Sequence, residues 1–202
     1  MAQQSQTDIC NSALNRLGAK TILNINENSR EARACQVQYD SNRRDELRKY
    51  RWNFAIQRVQ LAPDSVGPDF DFDYSFTIPS DCLRVLLPNT TNLDWVLEGR
   101  KILTNDPQKN VTIDGTTTTT SAFLNLRYIA DVEDPVQWDP SFYNLVSIAL
   151  AIDLCEIITQ SNTKKQMLNA EYNDAVRGAR LASAFEKIPT EAPTDTWILA
   201  RL

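Results

Sequence analysis

An α+β fold is expected from three features of the chain. Helical periodicity marks both ends, short apolar runs punctuated by Pro, Gly, Asn or Asp fill the middle, and 42% apolar residues with only five glycines suit a packed globular protein. The first helical signal spans Asp8 to Leu17: Thr7 or Asp8 stands where a cap belongs, Ile9, Ala13, Leu14 and Leu17 line one side, and Gly18 supplies a left-handed stop. A second helix is expected from Asn28, with Glu31 at capping-box spacing, through Ala32, Cys35, Tyr39 and Leu47 to Tyr50. At Trp52 the period changes. Trp52, Phe54 and Ile56 alternate as in a half-buried strand, and Val59 and Leu61 resume in the other phase, so a bulge near Arg58 is predicted.

From Pro63 to about Pro135 the runs FTIP, LRVLLP, WVLEGRKILT, NVTIDG and AFLNLRYIA predict a small, mostly antiparallel β module. The threonines from Thr116 to Thr120 suit a solvated hairpin edge or loop. Helical period returns at Pro140, a residue suited to a first turn, and Phe142, Leu145, Val146, Ala149, Ile152, Leu154 and Ile157 make that helix apolar nearly all round. A partner helix from Asn162 to about Lys187 offers Met167, Leu168, Tyr172, Ala175, Val176, Ala179, Ala182 and Phe185 as its packing face. The resulting division is a helical body of residues 1–58 and 136–188, an inserted β module at 59–135 and an extended C-terminal arm at 189–202.

Charge and composition narrow the function. With 21 Lys and Arg against 26 Asp and Glu, the net charge of -5 lacks the footprint of a dedicated nucleic-acid binder. The start, MAQQSQTDIC, lacks the basic-then-apolar order of an export signal, so synthesis in a cytoplasm without a membrane anchor is expected. Cys10, Cys35, Cys82 and Cys155 are scattered, form no CxxC pair and read as buried reduced thiols. Histidine is absent, which removes the commonest general base and the commonest zinc ligand. Neither a catalytic constellation, a metal site nor a cofactor is expected.

Several segments occur in an order that resembles the tail tubular protein A family of short-tailed, T7-like bacteriophages. They are LNRLGA, YRWNFAIQRVQLAP, YSFTIPSDCLRVLLP, WVLEGRKILTN, LRYIADVEDPVQWDPSF and the terminal DTWILARL, which together cover nearly the whole chain. The resemblance implies a structural protein of the virion tail, assembled in the host bacterial cytoplasm, that forms a ring of twelve subunits beneath the portal. Its implied partners are its own copies, the portal protein, a nozzle protein of the tail tubular protein B type and a tail fibre, with double-stranded DNA passing through the channel.

Three sets of residues fit such a role. Trp197, Ile198, Leu199, Arg201 and Leu202 place large apolar groups and a cation at a polar, proline-bearing terminus, the composition of an interface anchor; folding back on the chain's own bundle is the alternative. Arg30, Arg33, Arg43, Arg44, Arg48 and Arg51 form a local basic excess suited to a lateral interface or the channel, or to a solvated helix with i,i+4 pairs such as Asp40 with Arg44. Exchanging Arg43 and Arg44 for Glu is then expected to weaken assembly. Asp69, Phe70, Asp71, Phe72 and Asp73 suit a loop tip contacting the nozzle or a fibre; their carboxylates could hold a hard cation, but the loop glycine and distal Glu of an EF-hand are missing.

Two other functions compete. A glycan or peptidoglycan hydrolase needs two carboxylates across a cleft, for which Asp71, Asp73 and Glu98 are candidates at a separation of about 5 to 10 Å. A different head-completion ring would differ only in the partner it binds.

Overall fold

The computed structural model describes residues 5–86, 94–114 and 117–186 and shows an α+β fold of four helices and small antiparallel sheets. The arm at 189–202, with Trp197, Ile198, Leu199, Arg201 and Leu202, lies outside the described residues.

Helix α1 (Gln6–Leu17) starts earlier than expected, because Ser5 rather than Thr7 or Asp8 caps it. The Ser5 hydroxyl accepts the Asp8 N–H at 3.1 Å while the Asp8 carboxylate accepts the Ser5 N–H at 3.0 Å, a reciprocal box that satisfies two end donors. Gly18 ends the helix at φ 72°, as its sequence position predicts. Helix α2 (Arg30–Lys49) is capped by Ser29, which accepts the Ala32 N–H at 3.1 Å, so Asn28 is not its cap.

The alternation after Trp52 is not a strand. Residues Asn53–Ala55 make a 3-10 turn, which puts Trp52 and Ala55, three apart, on the same buried side. The indole N–H of Trp52 donates to the Glu46 carbonyl at 3.0 Å, satisfying its one polar atom. Strand β1 (Ile56–Leu61) then pairs in unbroken register from Ile56↔Ile129 to Leu61↔Leu124, and no bulge occurs at Arg58.

Helix α3 (Pro140–Ile158) is capped by Asp139 and carries Pro140 at its first turn. It is long and apolar enough to cross a membrane, with mean hydropathy 1.6 over its best window, yet α1, α2 and α4 pack around it and it is the core of the body. Helix α4 (Asn162–Phe185) lies against α3 through Leu168, Val176 and Ala179. Met167, Ala182 and Phe185, expected on that face, are exposed instead. Period alone marked too wide a stripe, since a helix packed on one neighbour buries only one side.

The other strands are β2 (Tyr74–Thr77), β3 (Cys82–Val85), β4 (Trp95–Glu98), β5 (Lys101–Thr104), β6 (Gln108–Asp114) and β7 (Thr117–Ala130). The first sheet runs β1-β7-β3 with β6 on the early half of β7, and the second runs β2-β5-β4; every pairing is antiparallel. The backbone of Thr117–Thr120 is a paired strand opposite β6 rather than a loop. Gly99, at φ 57°, occupies the first position of the two-residue turn between Glu98 and Lys101, where a hairpin needs positive φ.

Two cores meet at the first sheet. On one face Leu124, Leu126, Tyr128 and Ala130 pack with Phe76 and Ile102 of the second sheet. On the other, Ile129 and Leu86 join the helical core of Leu14, Leu47, Trp52, Phe142 and Leu145. All four cysteines are free and buried. Inside the β core, the Tyr128 hydroxyl donates to Asp81 at 3.2 Å, and burial first, then that carboxylate, pushes its phenol up to about 12. Because the folded value is raised, the stability it carries is complete below the ordinary phenol value of about 10 and is lost as the pH climbs from there through 12. Urea unfolding of Tyr128→Phe is therefore expected to show a shallower loss between about pH 10 and 12 than the parent chain; parallel losses would contradict the assignment.

Candidate functional site

The six α2-region arginines do not form one basic face. Arg43 is 1% exposed, its guanidinium paired with Asp131 and donating to the Val132 carbonyl at 3.2 Å, so it is neither a lateral nor a channel charge. Arg44 is exposed and pairs with the same Asp131 at 2.9 Å, not with Asp40, which faces Arg43. Tertiary partners displaced the predicted i,i+4 pair because the β7–α3 connection brings Asp131 beneath the helix. Arg30 donates to the Ile157 carbonyl at 2.5 Å, closing the C-terminal turn of α3. Arg33 donates to the Ser29 carbonyl at 3.3 Å, and Arg48 to the Leu83 carbonyl at 2.5 Å, tying α2 to β3. Arg51 opens into a groove.

That groove, about 310 Å³, lies where α2, β3 and α4 converge and is lined by Lys49, Arg51, Arg84 and Arg180 around Tyr50 and Trp52. Lys49 is occupied by Asp45 at 2.7 Å and by buried Glu46 at 2.8 Å. Burial pushes the Glu46 carboxyl up against the opposing pull of Lys49, and the Tyr172 hydroxyl donates to it at 2.9 Å, fastening α2 to α4. Arg180 stacks over Tyr50 with its guanidinium carbon 5.3 Å from the ring centroid.

The sheet beside this groove carries a feature the sequence hides. Register places Arg58 of β1 directly opposite Arg127 of β7, while Arg84 of β3 pairs with Ile129, two residues further along β7. Three arginines therefore lie across three adjacent strands on one face, about 5 Å from strand to strand. Among the described residues no carboxylate pairs with any of them, and the Arg127 Nε is buried without a hydrogen-bond partner. Like charges directly opposite destabilise a sheet. A second groove of about 310 Å³ runs between Arg58 and Arg127, lined also by Val59, Gln60, Asn125 and Leu126.

The acidic loop sits on the far side of the β module. Asp64 anchors its start to the second sheet: burial pushes its carboxyl up, but hydrogen bonds from Ser75, Thr77 and Lys101 outweigh that and hold it below the usual carboxylate range. The tip is fixed by Asn105, which accepts the Asp73 N–H at 2.7 Å and donates to the Asp71 carbonyl at 3.0 Å. Asp71 adopts φ 66°, uncommon outside glycine. Asp69, Asp71 and Asp73 are exposed, as is Phe70 at 77%, while Phe72 is half-buried. Among the described residues no three carboxylates or thiols converge on a cation position. Glu98 faces Lys101 at one end of the β4–β5 hairpin, whereas Asp71 is tied to Asn105 at the other, about 13 Å away along the strand backbone.

A fourth surface is the free side of α4. Leu181 and Phe185, one turn apart, are 59% and 80% exposed beside Gly178; Met167, 69% exposed on the same side, lies about 21 Å further along the axis, beyond exposed Asp174. The strand arginines and this surface escaped sequence reasoning for different reasons. Cross-strand register is not written in local sequence; the surface looked like core because apolar spacing marks faces without saying which is covered. Comparison with known protein families gives no match, and comparison with curated proteins gives none either.

Proposed function

We propose that this chain is a structural subunit that works by assembly, a ring-forming tail adaptor between a phage portal and its nozzle that encloses part of the DNA channel. The observation that carries the assembly reading is the C-terminal end of α4, where Leu181 and Phe185 are exposed one turn apart on the side opposite the buried face of Leu168, Val176 and Ala179. Large apolar side chains exposed together in this way fit a partner site. The specific role rests on the ordered segments that resemble tail tubular protein A, and the apolar residues Trp197, Ile198 and Leu199 are read as a further docking anchor.

The test is sedimentation of the purified chain with and without the portal ring of its own phage. Saturable, portal-dependent co-sedimentation is expected, and Leu181→Asp with Phe185→Asp is expected to weaken it by at least about tenfold while leaving the circular dichroism spectrum unchanged. Failure of the parent chain to bind a well-formed portal at low and moderate salt would overturn the adaptor reading.

A further inference from the structure

We propose that the Arg58, Arg84 and Arg127 face receives the Asp69–Asp73 loop of a second copy of this chain, a head-to-tail contact that links neighbouring subunits. This rests on the assembly reading and names its lateral contact.

Three observations carry it. The arginine face has an unmet demand: three guanidinium groups on adjacent strands with no carboxylate on any of them among the described residues, Arg84 donating to the Arg48 carbonyl at 3.3 Å, and a buried, unpartnered Nε on Arg127. The loop has the complementary chemistry. Asp69 and Asp71 stand two residues apart on an exposed tip, and the groove between Arg58 and Arg127 carries Gln60 and Asn125 on the same face, so a carboxylate can meet each arginine in a polar setting. Asn105 and the Phe72-to-Phe70 hydrogen bond, at 2.8 Å, already hold the loop in shape, which reduces the ordering cost of docking.

Placement excludes a contact within one chain. The arginines lie on the face of the first sheet that Ile129 shares with the helical body, away from the β core; the loop hangs from the second sheet, across that core. Two different patches on opposite sides of a subunit make a heterologous contact, the kind that closes into a ring when the rotation allows. A net charge of -5 disfavours a polyphosphate partner at long range, whereas a local carboxylate loop brings the needed charge to one place.

Charge exchange tests the contact. Assembly is measured by sedimentation velocity over a concentration series at low and high salt, for the free chain and for the chain loaded on its portal ring. Arg58→Glu with Arg127→Glu in one chain, and Asp69→Arg with Asp71→Arg in another, are each expected to lose lateral assembly by at least about tenfold. An equimolar mixture is expected to recover it, since each variant then meets an opposite charge on its neighbour; recovery also shows that both variants fold. Portal-bound rings that form equally well from either variant alone would overturn the contact while leaving the adaptor reading intact. Loss in both variants without recovery in the mixture would overturn it too, as would tight duplex DNA binding abolished by Arg58→Glu with Arg127→Glu while assembly is unchanged. A parent chain that stays a single copy both free and with its portal would overturn contact and adaptor reading together.

Discussion

Asp131→Ala is expected to lower the free energy of unfolding by about 3 to 5 kcal/mol, read from urea denaturation near neutral pH. Asp131 neutralises Arg43, whose side chain is 2% exposed, and removing the carboxylate leaves the guanidinium with the Val132 carbonyl and a longer, solvent-screened contact to Asp40 at 3.6 Å. The loss of Arg44's partner adds little, because that side chain is 55% exposed and water replaces the pair. Arg43→Met combined with Asp131→Leu is expected to recover most of the loss, since an apolar pair needs no desolvated charge. A single-variant loss below about 1 kcal/mol would mean that Arg43 reaches solvent and the buried pair is not what joins α2 to the end of β7. For the same reason Arg43→Glu is a folding lesion, and only Arg44 of that pair is fit for probing assembly.

Phe142→Ala is expected to cost a similar amount, about 3 to 5 kcal/mol, and to lower the melting temperature by roughly 6 to 20 °C for a chain of this size. Phe142 is fully buried at the first turns of α3, with ring centroids of Trp52, Phe54 and Trp138 at 4.9, 5.1 and 5.0 Å. Its removal takes one ring from the cluster and leaves a cavity between the α2–β1 connection and α3. Because two tryptophans line that cavity, their near-ultraviolet circular dichroism is expected to weaken with the stability. A small stability loss with unchanged tryptophan signals would show that the cluster closes over the gap.

The helices were legible because each writes its own signals locally. Gly18 at the end of α1, Pro140 at the first turn of α3 and the apolar density of α3 each report a short-range requirement. The caps were misplaced by one to three residues because Ser5 and Ser29 stand beside other competent cap formers, and the choice depends on where packing starts the helix. Trp52 misled for a related reason: spacings of two and of three both fit a stretch in which nearly every residue is apolar or amphipathic. The candidate site was less legible. Arg43 belongs to a run of exposed cations, and nothing local says that Asp131, 88 residues later, will cover it. Arg58, Arg84 and Arg127 acquire meaning only through register, a long-range property that also decides which charges are left without partners.

The 14-residue strand β7 serves both cores at once, with Leu124, Leu126 and Tyr128 turned into one and Ile129 into the other. One unbroken backbone thus runs from the β6–β7 hairpin to the foot of α3, and its hydrogen bonds to β1 and β3 lie across its length rather than at a single point. Tension applied along that strand would load many of those bonds in shear together, instead of opening them one after another like a zip. The β module and the helical body are thus joined by a common spar, through which a push delivered to either reaches the other.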